Sequence, residues 1–290
     1  RKMYHSWNIR KLLRYLAFDL ALILAAICFT HFGKQHFAAV NMTHTVPLPI
    51  LMYHSVTELP ERDFCVTPDT LEQDFQYLRS NGYEAVSAED LIAYTNGKGD
   101  LPQKPVMITF DDGFYNNMSA ALPLLEKYDM CAVISIVGMF TDIIAPDSPH
   151  QEAYSYLTWE DLRQLQQSDR IELGSHTYNM HSNDTLRRGC AKNAWESEEH
   201  YHETFQKDID TLQTRFQDEL QQVPYIFAYP YGFVCPESKS VLRDAGFLLT
   251  LTCLEETNQI TRDPDCLYGL SRYNRPGNLS TEAFMHRALS

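Results

Sequence analysis

Pro105-Val-Met-Ile-Thr-Phe-Asp-Asp-Gly113 joins an unbroken apolar run to two adjacent carboxylates and a glycine. Such a run, ended by a turn residue, is typical of a strand that is buried on both faces in a parallel sheet. Similar short runs recur along the chain. They predict strands at residues 49–54, 105–110, 131–137, 171–175, 225–229 and 247–252.

Longer amphipathic stretches separate these runs. They predict helices at residues 68–81, 87–95, 116–128, 158–168, 198–221 and 236–245. Ser87 and Thr158 each precede acidic residues, which is typical of helix starts. Alternating strands and helices predict parallel βαβ units, so we expect an α/β fold of the barrel type, with a doubly wound open sheet as the alternative. In both folds the active site lies at the carboxyl ends of the strands.

The formal charge of the 290-residue chain is −14, and it is unevenly distributed. Residues 1–40 carry six Lys and Arg against one Asp, which gives +5 and leaves −19 for the remainder. An acidic body lacks the basic footprint that general nucleic-acid binding needs. The seven cysteines show no CxxC spacing, and Cys131 and Cys253 lie in apolar runs, so we predict buried thiols and no catalytic cysteine.

The basic residues at 1–14 precede an apolar stretch at 15–32. This order predicts export of the rest of the chain. We expect a cytoplasmic basic stretch at 1–14, a signal-anchor helix at 15–32, a linker at 33–47 and a catalytic domain at 48–290. Positive-inside topology then places that domain outside the cell membrane. The alternatives are a cleaved signal, which would give a secreted protein, and a buried amphipathic helix.

The polar residues after the predicted strands suggest a metal site. Alternation points Asp111 and Asp112 in different directions, so one carboxylate can bind a metal while the other handles a proton. His176 and His181 follow strand 171–175, and with Asp112 they would leave an open position for water, as a catalytic zinc requires. The alternatives are a helix N-cap for the acid pair and an ordinary surface location for the histidines.

Two further strand ends carry candidate residues. His54 ends the predicted strand 49–54, and a lone histidine at such a place is more often structural than functional. Tyr229-Pro-Tyr-Gly232 follows strand 225–229, and the backbone N–H groups of such a turn can face a ligand, although a plain turn is the more common meaning.

Taken together, these motifs resemble those of the NodB-homology polysaccharide deacetylases, carbohydrate esterase family 4. The resemblance rests on Thr109–Gly113, on Ser175–His181 and on Tyr229–Gly232, and its order and spacing hold over roughly residues 47–275. Leu51-Met-Tyr-His-Ser55 also resembles the subgroup that contains poly-N-acetylglucosamine de-N-acetylases. The family fold is a distorted (β/α) barrel, which agrees with the pattern of strands and helices.

The resemblance implies a role for each site residue. Asp111 would be the general base, and Asp112, His176 and His181 would bind one divalent metal ion, zinc in our expectation. The backbone N–H of Tyr231 would stabilise the oxyanion. Tyr178 and Tyr229 are candidates for stacking on sugar rings, with core packing as the alternative.

The chain departs from the family pattern in three places. Its histidine ligands are five residues apart, as in the exopolysaccharide subgroup, rather than the commoner four. Ala228 replaces the arginine that usually orients the base, and Arg272 is the candidate substitute. The usual late histidine motif is not evident, so we assign the general acid to His54, with His286 as the competing residue.

We therefore expect a metal-dependent hydrolase that removes N-acetyl groups from an N-acetylglucosamine polysaccharide, either an exopolysaccharide or peptidoglycan, and releases acetate. One alternative is an O-acetyl esterase of the xylan type. The other, motivated by Ala228, is an inactive glycan-binding surface protein. The expected partners are the glycan and, through the N-terminal helix, the membrane; no nucleic acid is expected, and the sequence indicates no protein partner.

Overall fold

The strands and helices described below come from a computed structural model, which describes residues 20–24, 27, 45–58, 63–145 and 148–290. The predicted basic stretch at 1–14 lies outside the described residues, as do most of the predicted anchor and linker. Residues 20–24 and 27 are helical. In the described parts of the chain, no helix has both the length and the apolar character that a membrane crossing requires.

Val46–Ser290 forms one compact unit, and its first strand begins two residues before the predicted domain boundary at residue 48. The strands are β1 (Val46–Leu48), β2 (Ile50–Tyr53), β3 (Ser55–Val56), β4 (Cys65–Val66), β5 (Glu84–Ala85), β6 (Pro105–Phe110), β7 (Ala132–Ile136), β8 (Ile171–Ser175), β9 (Ile226–Ala228), β10 (Leu249–Leu251), β11 (Asn258–Ile260) and β12 (Tyr273–Asn274). The helices are α1 (Pro68–Ser80), α2 (Ala88–Thr95), α3 (Leu122–Lys127), α4 (Gly138–Asp142), α5 (Trp159–Leu165), α6 (Glu198–Leu220), α7 (Pro236–Asp244) and α8 (Thr281–Leu289).

The predicted core elements agree closely with these bounds. Strands 105–110 and 171–175 are confirmed residue for residue, and Ser87 and Thr158 cap α2 and α5 with complete capping boxes. The predicted helix 116–128 differs, because a π-helical turn at Asn117–Ala121 precedes α3. Pro123 lies at the junction, where its missing N–H removes a regular helical hydrogen bond.

The principal sheet has eight strands, and every strand pair recorded in it is parallel. Its order is β10-β9-β8-β7-β6-β2-β12, with β5 paired to β6. Strands β2, β6 and β7 are buried at every residue, which explains their continuous apolar composition. No apolar run of the sequence indicated β1, β3, β4, β5, β11 or β12, because strands of two or three residues show no periodic pattern unless they lie within a longer apolar run, as β9 and β10 do.

A short segment near the C-terminus, residues 270–275, brings the two edges of the sheet together and is called the closing segment below. Leu270 bridges in parallel to Leu251 of β10, and Tyr273 of β12 pairs with Leu51 of β2. The sheet therefore curls into a distorted (β/α) barrel, as the sequence predicted, and does not form the open sheet that was the alternative. The carboxyl ends of its strands consequently converge on one face.

A buried ion pair anchors this closing segment on its outer side. Arg275 donates to both carboxylate oxygens of Asp74 on α1, at 2.7 and 3.1 Å, and both side chains are fully buried. Tyr53 donates to the same carboxylate from β2, and Thr281 donates from α8. The Asp74 carboxylate thus links the closing segment to α1, β2 and α8.

We predict that Asp74→Asn lowers the free energy of unfolding by about 3–5 kcal/mol, because it leaves the Arg275 guanidinium buried without a counter-charge. Urea denaturation of the full chain measures this change. Asp69→Asn, on the exposed side of the same helix, is the matched control and should cost less than about 1 kcal/mol. Equal effects of the two substitutions would contradict the prediction.

Candidate active site

A cavity of about 670 Å³ opens at the carboxyl ends of the barrel strands. It contains six of the residues that the sequence singled out, and they come from the ends of four different strands. The lining residues are Met52, His54, Phe64, Asp111, Asp112, Phe114, His176, His181, Asn183, Tyr231, Phe233, Cys253 and Asn274. The convergence of parallel strand ends explains how residues so distant in sequence meet here.

The carboxylates of the two adjacent aspartates after β6 contact different residues. Asp111 is buried, whereas Asp112 adopts a left-handed backbone conformation with φ of 72°. This conformation is unfavourable for a residue other than glycine and occurs mainly where the surrounding structure enforces it. Gly113 continues the turn at φ of +72°, and a Cβ atom there would lie 2.9 Å from Ile136 Cγ2. The tight turn directs the two carboxylates to different sides.

Arg272 holds Asp111 in a bidentate ion pair. Its Nη1 and Nη2 atoms donate to Oδ1 and Oδ2 at 2.8 and 2.7 Å, and both side chains are almost completely buried. Arg272 Nε also donates to the carbonyl of Thr252, which fixes the plane of the guanidinium. Burial disfavours the charged carboxylate, but Arg272 outweighs it and holds the pKa of Asp111 well below its usual range. Arg272 therefore occupies the place expected for an arginine that orients the base.

Asp112, His176 and His181 form a cluster with the spacing of a metal site. One potential ligand atom from each lies within 4.8 Å of the others. Asp112 Oδ1 is 3.1 Å from His181 Nε2 and 3.6 Å from His176 Nε2, yet it is buried with no partner in hydrogen-bond geometry among the residues that the structure describes. A buried carboxylate oxygen of this kind is suited to a cation. The three residues therefore fit a divalent ion.

The neighbours of His176 prepare it to act as a ligand. Its Nδ1 atom lies 2.8 Å from the carbonyl oxygen of Ala228, which can only accept a hydrogen bond. The proton is thus on Nδ1, and the Nε2 lone pair faces Asp112. Burial lowers the pKa of His176, which favours the neutral imidazole that a metal needs. Ala228, where the family usually has arginine, contributes here through its backbone.

His54 directly follows β2, and its side chain lines the cavity. Asn117 Nδ2 donates to its carbonyl at 2.7 Å, and the ring of Phe64 packs edge-on against the imidazole with centroids 4.8 Å apart. Burial lowers the pKa of His54, while the charges of Asp112 and Asp111 oppose that shift. His286, the competing candidate, is exposed on α8 and does not line the cavity.

Tyr231 is held in a strained turn beside the histidines. Its φ is 57°, its side chain is 44% exposed, and its hydroxyl lies 3.4 Å from His181 Nδ1. Gly232 follows at φ of +69°, where a Cβ atom would lie 2.8 Å from the backbone nitrogen of Cys253. No side chain larger than hydrogen fits there, so the turn is pressed directly against the end of β10.

The other two tyrosines proposed from the sequence are not in this cavity. Tyr229 is buried, and its hydroxyl pairs with Ser238. Tyr178 donates a hydrogen bond to Asp142 and packs at the edge of the hydrophobic core. Their placement favours the alternative of core packing over sugar stacking, because both rings are used in packing.

Several cavity residues escaped the sequence analysis. Phe64, Phe114 and Asn274 line the cavity, and Asn116 accepts a hydrogen bond from the Val56 backbone beside His54. Asn116 and Asn117 follow the acid pair closely, which is a usable signal. Asn274 lies two residues after Arg272, so alternation along the strand could have placed it on the same face.

Comparison with known proteins agrees with this geometry. Residues 98–249, more than half of the chain, match the family model described as polysaccharide deacetylase. The chain therefore belongs to the polysaccharide deacetylase family. The family resemblance deduced from the motifs is confirmed.

Individual relatives are distant. The chain is 27% identical over 203 residues to the poly-beta-1,6-N-acetyl-D-glucosamine N-deacetylase of Escherichia coli strain K12, a match that covers 63% of this chain. That match spans only 30% of the length of the relative.

Two solved structures share the fold. A de-N-acetylase from Aggregatibacter actinomycetemcomitans has a TM-score of 0.70 at 23% identity and covers 83% of this chain and 99% of its own. IcaB from Ammonifex degensii has a TM-score of 0.67 at 24% identity and covers 84% and 96%. These likenesses establish the distorted barrel.

We predict that the chelator-treated protein binds one Zn²⁺ per chain and that Asp112→Ala weakens binding by more than about 100-fold, because only two imidazoles remain. Isothermal titration calorimetry measures both values. Asp63→Asn, an exposed residue beside the cavity wall, is the control and should bind as the wild type does. Undiminished binding by Asp112→Ala would show that the cluster is not the metal site.

Proposed function

We propose that this protein is a metal-dependent deacetylase that removes N-acetyl groups from a polysaccharide containing N-acetylglucosamine and releases acetate. The observation that carries the proposal is that Asp111, which is paired with the buried Arg272, lines the same cavity as the cluster of Asp112, His176 and His181. A base and a metal site in such proximity are suited to amide hydrolysis by water.

Asp112, His176 and His181 would hold the metal, and we propose zinc because one carboxylate and two neutral imidazoles are ligands that zinc accepts. Once bound, the ion would polarise the acetyl carbonyl and lower the pKa of a bound water. Arg272 keeps Asp111 ionised, so that Asp111 can accept the proton of the attacking water. The same ion pair prevents Asp111 from rotating away.

Tyr231 and His54 would complete the reaction from two sides of the cavity. The strained turn at Tyr231 leaves its backbone N–H without a backbone acceptor in the described residues, so it can donate to the developing oxyanion. His54 would protonate the leaving nitrogen, which allows the amine to leave as a neutral group. Collapse of the tetrahedral species then yields acetate and a free amino sugar.

Arg272 also bears on the alternative of an inactive glycan-binding protein. The missing arginine at Ala228 motivated that alternative, but Arg272 reaches the same carboxylate from the closing segment of the barrel. A protein that only binds glycans has no need for a buried ion pair aimed at a potential base. The geometry therefore favours catalysis.

For the substrate we propose an exopolysaccharide of the poly-β-1,6-N-acetylglucosamine type, supported by the name of the Escherichia coli relative. Deacetylation makes such a polymer cationic, and the charge of −19 outside residues 1–40 would favour contact with it. We further propose that the domain acts outside the cell, held by the signal anchor at 15–32 or secreted if that segment is cleaved. The basic and apolar residues at the N-terminus support this location.

The decisive experiment measures acetate release from a panel of acetylated glycans, with and without a chelator. We expect release from poly-N-acetylglucosamine, loss of release with the chelator, and recovery on addition of Zn²⁺. Asp111→Asn should reduce release at least about 100-fold, since it removes the general base. Asp63→Asn should have no effect, and a metal-loaded wild type that releases no acetate from any glycan would refute the proposal.

A second prediction separates amide from ester hydrolysis. An amine leaving group needs protonation more than an alkoxide does, so His54→Gln should lower amide hydrolysis about 100-fold and ester hydrolysis less than about 10-fold. Rates on matched N-acetyl and O-acetyl sugars test this difference. His286→Gln is the control, and equal losses on the two substrates would argue against His54 as the acid.

A further inference from the structure

The loop between the two histidines is held by a side chain from outside the cavity. Asp208 lies within α6, and its two carboxylate oxygens accept hydrogen bonds from consecutive backbone N–H groups of this loop. Tyr178 N donates to Oδ1 at 2.8 Å, and Asn179 N donates to Oδ2 at 2.7 Å. The bonds reach across about 30 residues of sequence.

The loop is otherwise strained. Thr177 adopts a left-handed conformation with φ of 71°, and its hydroxyl accepts a hydrogen bond from the Met180 N–H at 3.2 Å. A β-branched residue in this region is unfavourable and persists only where its surroundings enforce it. With Asp208 on the two intervening amides, the N–H groups of residues 178, 179 and 180 are all engaged by side-chain oxygens.

Burying the Asp208 carboxylate is unfavourable in free energy. Asp208 is 9% exposed, close to the middle of a helix of 23 residues, and a buried carboxylate there needs compensating hydrogen bonds. An apolar residue would pack α6 against the loop as well but would leave the partly buried N–H groups of Tyr178 and Asn179 without their acceptor. The arrangement is therefore that of a loop anchor rather than of simple helix packing.

We propose that Asp208 is a positioning residue for the metal site: it fixes the four-residue loop 177–180 so that His176 and His181 face Asp112. The inference rests on the metal site of the proposed function. His176 is set by β8 and by the Ala228 carbonyl, whereas His181 depends on the course of the loop. Without Asp208, the loop would relax and the three ligand atoms would no longer converge.

The test compares Asp208→Asn with Asp210→Asn in the otherwise intact chain. Asp208→Asn is nearly isosteric but presents an NH₂ group to one of the two backbone N–H donors. Asp210 is exposed on the same helix, and among the described residues its side chain accepts a hydrogen bond only from Gln206. Two substrate-free measurements are made, Zn²⁺ affinity by competition with a chromophoric chelator and hydrogen exchange of loop and strand peptides.

For Asp208→Asn we expect Zn²⁺ affinity to fall about 10- to 100-fold, as for other residues that orient metal ligands. Exchange should quicken at residues 178–179, while strand 171–175 stays protected. With saturating Zn²⁺, the turnover of acetylated glycan should recover to near the wild-type value. Asp210→Asn should match the wild type in all three measurements.

Unchanged Zn²⁺ affinity in folded Asp208→Asn would overturn the proposal. So would faster exchange in the strand as well as the loop, because that result would mean general loss of structure. Asp208→Ala, which leaves space instead of a misplaced donor, should show the same local pattern. Absence of acetate release by the wild type would count against the proposed function and leave these substrate-free results interpretable.

Discussion

The buried ion pair between Arg272 and Asp111 connects the closure of the barrel with the chemistry of the site. Asp111 follows β6 in the middle of the sheet, whereas Arg272 belongs to the segment that joins the two sheet edges. Neither charge is tolerable in the interior alone, so each requires the other. The correct closure of the barrel and the correct orientation of the proposed base are therefore one physical condition.

The closing segment satisfies two such conditions at once. Arg272 and Arg275 are three residues apart, so an extended backbone directs them to opposite faces. Arg272 points inward to Asp111, and Arg275 points outward to Asp74 on α1. A shift in register by one residue would bury both guanidinium groups against the wrong partners. The two pairs thus specify the register of the last strand as well as stabilising it.

Backbone strain is concentrated where the strands meet the cavity. Asp112, Thr177 and Tyr231 follow β6, β8 and β9, and each has a left-handed backbone without being glycine. Such conformations persist only when hydrogen bonding and packing over-determine them. Gly113, directly after Asp112, lies against Ile136, and Gly232, directly after Tyr231, lies against Cys253. Asp208 accepts hydrogen bonds from the two amides that follow Thr177. Much of the surrounding structure therefore serves to hold three turns in place.

The sequence by itself determined the α/β class, the buried strands and the identity of the acid pair and the two histidines, because apolar runs and the polar residues that end them are local patterns. Only the tertiary structure decided that Arg272 reaches Asp111 and that Tyr178 and Tyr229 pack away from the cavity. It also placed His54, but not His286, at the site and brought Asp208 to the histidine loop. These outcomes depend on how strands and helices that are distant in sequence pack together. Short strands such as Tyr273–Asn274 carry no periodic signal from which that packing could be deduced.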